Sequence, residues 1–167
     1  MGSQLRLDQS AMIPLDNQPP GYWATNLYND PRKRPKTDAP LKELPQRAAQ
    51  RFKTAREGVR ALKHVTEQVV FMGTAWKWVW MYEVSGRKLG YLHPMESSVS
   101  GTFILTEAEE RELAGSDSLP RLVRQAMRDG TVSGGVRWCW MEFPDLDAAE
   151  GFVHVIKLKH LMLSRPE

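Results

Sequence analysis

The sequence predicts an α+β domain: a mostly antiparallel sheet, built from a three-strand meander plus a later strand, with helices packed on one side. Three observations predict it. Residues 75–84, A-W-K-W-V-W-M-Y-E-V, alternate with a period of two, which a strand requires because its successive side chains point to opposite faces. The turn signal V-S-G-R-K follows directly and folds the next residues back as an antiparallel partner. Apolar stripes of helical period lie before and after the strands, so helices and strands occupy separate runs of chain.

In chain order, residues 1–38 read as a basic arm and 39–167 as a single α+β domain. Pro14, Pro19, Pro20, Pro31 and Pro35 punctuate the arm and predict little regular structure. Its apolar residues, Leu5, Leu7, Met12, Ile13, Leu15, Tyr22, Trp23, Leu27 and Tyr28, are more than a bare linker needs, so part of the arm is expected against the body. A helix over about 46–64 follows from Ala48, Phe52, Ala55, Val59 and Leu62, one apolar stripe. Gly58 within it should cost roughly 1 kcal/mol relative to alanine.

After a short run at 69–72 comes the aromatic strand, whose hairpin partner is 88–93, ended by Pro94. G-T-F-I-L at 101–105 makes the third strand. Thr106 with Glu109 forms a capping box for a helix to about Ala114. Ser118 and Pro120 open another helix, stopped at Asp129-Gly130. A strand over 136–143 and a final helix capped by Asp145 and running to about Leu163 complete the order.

Composition bounds the function. At 167 residues, 41% hydrophobic and 26% charged, the chain is long enough for one well-filled core. No apolar run approaches the ~20 residues of a membrane span, the opening M-G-S-Q-L-R-L-D-Q-S lacks the order of a signal peptide, and a single cysteine, Cys139, excludes an internal disulfide. A cytoplasmic protein without membrane attachment is expected. The charge is uneven, +6 over residues 1–65 and −3 over 66–167, for a total of +3. Arg32, Lys33 and Arg34 in the arm and Arg56, Arg60 and Lys63 on the first helix could hold nucleic acid or an acidic partner. The commoner use of such residues is a solvated face.

No phosphate loop, G-x-G-x-x-G, H-E-x-x-H or G-x-S-x-G run is present, and His64, His93, His154 and His160 are not spaced as metal ligands. No cofactor and no metal are expected. The aromatic strands offer the candidate site. Alternation puts Trp76, Trp78, Trp80 and Tyr82 on one face, with Lys77 and Glu83 on the other, and it groups Trp138, Trp140 and Glu142 against Arg137, Cys139 and Met141. Walls of tryptophan and tyrosine suit a small flat or cationic ligand, although the same residues also serve as plain core. Used as an enzyme, the pocket would employ Glu142 as general acid or base, with His93, which alternates with Tyr91 and Leu89, assisting. Cys139 is expected to be a buried, inert thiol.

The wording W-K-W-V-W-M-Y-E-V-S-G-R-K-L-G-Y-L-H-P, then G-T-F-I-L, then G-G-V-R-W-C-W-M-E-F before a terminal amphipathic helix resembles a family of small bacterial proteins catalogued as domain of unknown function 3788. The resemblance spans residues about 70 to 163. It implies the same architecture and, since the family carries no assigned activity, no residue role.

Overall fold

The computed structural model describes residues 13–165. Six strands, β1 (Val65–Phe71), β2 (Trp78–Val84), β3 (Arg87–Pro94), β4 (Val99–Leu105), β5 (Thr131–Ser133) and β6 (Val136–Glu142), form one sheet in the order β1-β2-β3-β4-β6-β5, with every pairing antiparallel. The α+β class and the contiguous meander β2-β3-β4 are those the sequence predicts. β1 extends earlier than its apolar end suggests, because Val65, Thr66, Glu67 and Gln68 complete the ladder with β2.

Helices α1 (Ala39–Glu43), α2 (Gln46–Arg60), the single turn α3 (Gly73–Trp76), α4 (Glu107–Ala114), α5 (Arg121–Asp129) and α6 (Leu146–Leu163) make up the rest of the regular structure. The α4 capping box is closed from both ends, Thr106 Oγ1 accepting from the Glu109 amide and Glu109 Oε1 accepting from the Thr106 amide. Asp145 caps α6 through the Ala148 amide. α2 and α6 lie side by side on one face of the sheet, burying Phe52, Ala55, Val59, Phe152, Val155 and Ile156. Gly58 is where they meet. A Cβ there would sit 2.6 Å from Val153 Cγ1, so the glycine that weakens α2 as an isolated helix permits its close approach to α6.

The β2-β3 hairpin turns through Ser85 and Gly86, both at positive φ (50° and 75°), as a two-residue turn matching strand twist demands. Beyond it Leu89 is an extra residue in β3: Tyr82 pairs with Gly90 and Glu83 with Lys88. The bulge breaks the alternation expected for Leu89, Tyr91 and His93. Leu89 joins the helix-side core, whereas Tyr91 and His93 face the other way.

That other face is covered by the arm. Residues 13–38 hold only a 3-10 turn (Tyr22–Thr25) and a bridge from Asn26 to Met95 as regular structure. They are nevertheless bonded along their length. The Leu27 amide donates to the Pro94 carbonyl at 3.2 Å, the Glu96 amide to Thr25 at 2.7 Å, and Asn17 Nδ2 to the Trp138 carbonyl at 3.3 Å. Ile13 and Trp23 are buried with Val79, Met81, Tyr91 and Trp138 in a second core. The expectation for Leu5, Leu7 and Met12 lies outside the described residues.

Gly101 sets the spacing of the helix-side core. Its Cβ would fall 2.6 Å from Phe152 Cε1 and 2.9 Å from Phe143 Cζ, two rings that are themselves fully buried and in contact. Gly101→Ala should therefore lose about 1–3 kcal/mol by overpacking, read as a lowered urea midpoint. An unchanged midpoint would mean that the ring layer yields freely.

Candidate ligand-binding face

Trp78, Trp80 and Tyr82 do share a face, and it is the one under the helices. Each polar tip there has a partner. Trp78 Nε1 donates to the Asp30 carbonyl at 2.7 Å, Trp80 Nε1 to the Thr37 carbonyl at 2.9 Å, and the Tyr82 hydroxyl to Glu67 Oε2 at 2.8 Å. Phe52 meets Trp80 edge-on at 5.5 Å. Glu67 in turn takes a two-pronged ion pair from Arg56, at 2.8 and 2.9 Å. These three rings are core whose donors the arm and β1 satisfy, so they do not line an open pocket.

Arg56 is likewise buried and committed to Glu67, with Arg60 3.9 Å from the same carboxylate. Some of the basic residues expected to hold nucleic acid or an acidic partner are thus taken up by ties within the protein. Arg32 is exposed beside Asp30, Arg34 lies 6.0 Å over the Trp78 ring, and Lys33 and Lys63 face solvent. Arg34 and Arg56 border the same groove of about 970 Å³ between the arm and β1.

Trp76 is the residue the alternation misplaces. It ends the one-turn helix α3, and Lys77 follows at φ +58°, so the chain reverses between Trp76 and Trp78. Trp76 lands on the arm-covered face. There the register sets Met81 opposite Tyr91, Tyr91 opposite Thr102, His93 opposite Ser100, Thr102 opposite Trp140 and Ser100 opposite Glu142. The arm adds Tyr22 and Trp23 from above. His93 lies between two indoles, 4.5 Å from the Trp76 ring and 4.9 Å from that of Trp23, both edge-on. Trp76 also meets Tyr91 at 5.2 Å and Trp138 at 5.9 Å, and Tyr22 meets Trp140 at 5.0 Å.

The polar atoms on this face behave differently from those under the helices. His93 Nε2 is 2.8 Å from Thr102 Oγ1, and the Trp138 indole donates to the Ser133 carbonyl at 2.9 Å. Yet the Tyr22 hydroxyl, Trp76 Nε1, the Tyr91 hydroxyl, His93 Nδ1, Ser100 Oγ and Trp140 Nε1 are buried and have no hydrogen-bond partner in the protein. Tyr22 is turned towards Ser100, Ser98 and Glu142, but no bond closes at its oxygen or at Ser100. Among the described residues, every buried side-chain polar atom lacking a partner belongs to this one cluster.

Burial keeps the cluster neutral. It depresses His93 to about 3 and raises Tyr22 to about 12, with the nearby Glu142 adding to the rise; Tyr91 is also raised, first by burial and then by Glu83. Two indole N–H groups can only donate, three hydroxyls can donate or accept, and one imidazole nitrogen does either according to tautomer. Glu142 stands exposed at the rim on the Trp140 side of β6. Cys139 lies on the helix side, its thiol pushed up to about 12 by burial, and stays protonated. Among the described residues no three acidic, cysteine or histidine side chains gather as a metal site, and no helix is long and apolar enough to cross a membrane.

Trp76, Trp138, Trp140 and His93 are thus brought together as site candidates, with Glu142 at their edge and Trp78, Trp80 and Tyr82 excluded from them. Sequence reasoning passed over Tyr22, Trp23, Tyr91, Ser100 and Thr102. The signal for the last two was present, since Ser100 and Thr102 alternate inside an otherwise apolar strand and mark one polar side. No family model matches the chain, and no curated protein or solved structure matches it.

Proposed function

We propose that the protein is a small ligand-binding domain whose binding face is the arm-covered side of the sheet, and that it accepts a small flat compound between Tyr22, Trp23, Trp76, Trp138 and Trp140. One observation carries the reading: six buried polar atoms without protein partners converge there, whereas native proteins pair almost all such groups. An unpaired buried donor or acceptor costs about 1–3 kcal/mol, so a planar molecule with polar atoms on its edge would recover free energy that the protein alone forgoes. The residues around Tyr22 and Trp23 then act as a cover that yields to the ligand. A cationic edge, if the compound has one, belongs beside Glu142 at the rim.

Titrating planar heteroaromatic compounds while following tryptophan emission and the melting temperature tests this. Trp140→Phe keeps a ring and removes one donor, and it should weaken binding about 5- to 150-fold, the equivalent of about 1–3 kcal/mol. Its own unfolding midpoint should move much less. Trp80→Phe on the helix side should do the reverse, losing stability with its bond to Thr37 and leaving affinity unchanged. If no compound in the panel alters emission or melting of the native protein, the face is core and the proposal is wrong.

A further inference from the structure

A second concavity lies at the β5-β6 end of the sheet, where α4, α5 and the hairpin enclose a groove of about 800 Å³. None of the six unpartnered groups lines it. Its floor is apolar: Leu105 and Leu119 are buried, Met127 is half-buried, and Val132 stands 60% exposed at the rim.

The charged lining comprises four arginines and two glutamates, and they divide sharply. Arg137 is committed, its Nε donating to Glu110 Oε1 and its Nη1 to the Gly130 carbonyl, both at 2.7 Å. Arg124 donates to the Leu119 carbonyl at 3.2 Å and to that of Ser116 at 2.6 Å. These two hold the walls together: Arg137 joins β6 to α4 and to the end of α5, and Arg124 joins α5 to the loop before it. Arg111 on α4 and Arg128 on α5 are exposed and have no partner among the described residues. A free guanidinium is a rigid fork of donors matched to a carboxylate. Two of them above an apolar floor, with Glu107 the only uncommitted acid in the lining, favour a ligand with one negative end and an apolar body. The volume is that of a small-molecule site.

We infer that this groove binds an amphipathic carboxylate, an alkyl chain lying on Leu105, Leu119, Met127 and Val132 with its carboxylate held by Arg111 and Arg128. Charge and shape both enter the claim. An uncharged chain should lose the fork, and a short anion should lose the floor.

Calorimetric titration of the full chain with decanoate, decanol, decyltrimethylammonium and acetate reads the two contributions separately. Decanoate should bind with the highest affinity, at least tenfold above decanol and acetate, and the cation should bind weakest. Arg111→Gln and Arg128→Gln should each weaken decanoate about tenfold with unchanged melting of the free protein, since neither side chain holds the fold. Arg121→Gln, on α5 but outside the groove, should leave affinity unaltered, and Val132→Asp should weaken it. Equal affinities for decanoate and decanol, or equal effects of the Arg121 and Arg128 variants, would overturn the inference. Failure of decanoate alongside binding of an acidic amphipathic peptide would overturn it too, by assigning the groove to a protein partner.

Discussion

Replacing Glu67 by alanine should cost about 3–5 kcal/mol, a large part of the ~5–15 kcal/mol that holds a domain of this size together. The carboxylate is nearly buried, with 9% of its side chain exposed, and its principal partner Arg56 is 10% exposed. Removing it leaves the Arg56 guanidinium at the edge of the groove with only the more distant Asp38 as counter-charge, and the Tyr82 hydroxyl with no acceptor. Most of the loss comes from these stranded groups, because a pair's own net contribution is small once desolvation is counted. The triple variant Glu67→Leu, Arg56→Met, Tyr82→Phe should accordingly recover most of the stability. Urea midpoints of the single and triple variants decide the matter. A single-variant loss under about 1 kcal/mol would show that water reaches the network.

Acid should destabilise the protein through His93. Its folded-state value near 3 lies below the ordinary value of 6.5, burial being the cause, so between pH 6.5 and 3 the unfolded chain binds a proton that the folded chain refuses. Stability is then complete above pH 6.5 and falls as the pH drops, on the order of 3 kcal/mol by pH 4. His93→Gln removes the titrating ring and keeps a polar group for Thr102. The variant should be less stable at pH 7.5 yet show a shallower decline between pH 6.5 and 4. Parallel declines in the two proteins would mean that His93 takes up its proton while folded.

The elements that short-range chemistry governs were legible. The Thr106 capping box, the Asp145 cap and the Ser85-Gly86 turn each act within a few residues, and each closes in the structure as its residues dictate. The alternation of β6 holds, with Trp138 and Trp140 on the arm side and Cys139 and Met141 under the helices. What escaped were departures from period. Trp76 is two residues from Trp78, and nothing in W-K-W announces that Lys77 takes a left-handed conformation and sends the two rings to opposite faces. The β3 bulge at Leu89 is invisible for the same reason. The candidate site was half visible: its tryptophans and His93 stand out, but whether an indole N–H finds a carbonyl is decided by segments far away. Asp30 and Thr37 serve Trp78 and Trp80, while Trp76 and Trp140 are left without an equivalent.

The arm's position also fixes when the chain can fold. Asn17 reaches across 121 positions to the Trp138 carbonyl, and His160 across 97 to that of Lys63. A growing polypeptide therefore presents Trp23 and the apolar stripe of α2 to solvent long before β6 and α6 exist to receive them. Neither layer closes until β6 and α6 have been made. Assembly consequently depends on contacts between distant parts of the chain, which places refolding with the mixed α and β topologies, slower than helical bundles. The interval in which both apolar faces of the sheet are uncovered is when the protein is most exposed to self-association.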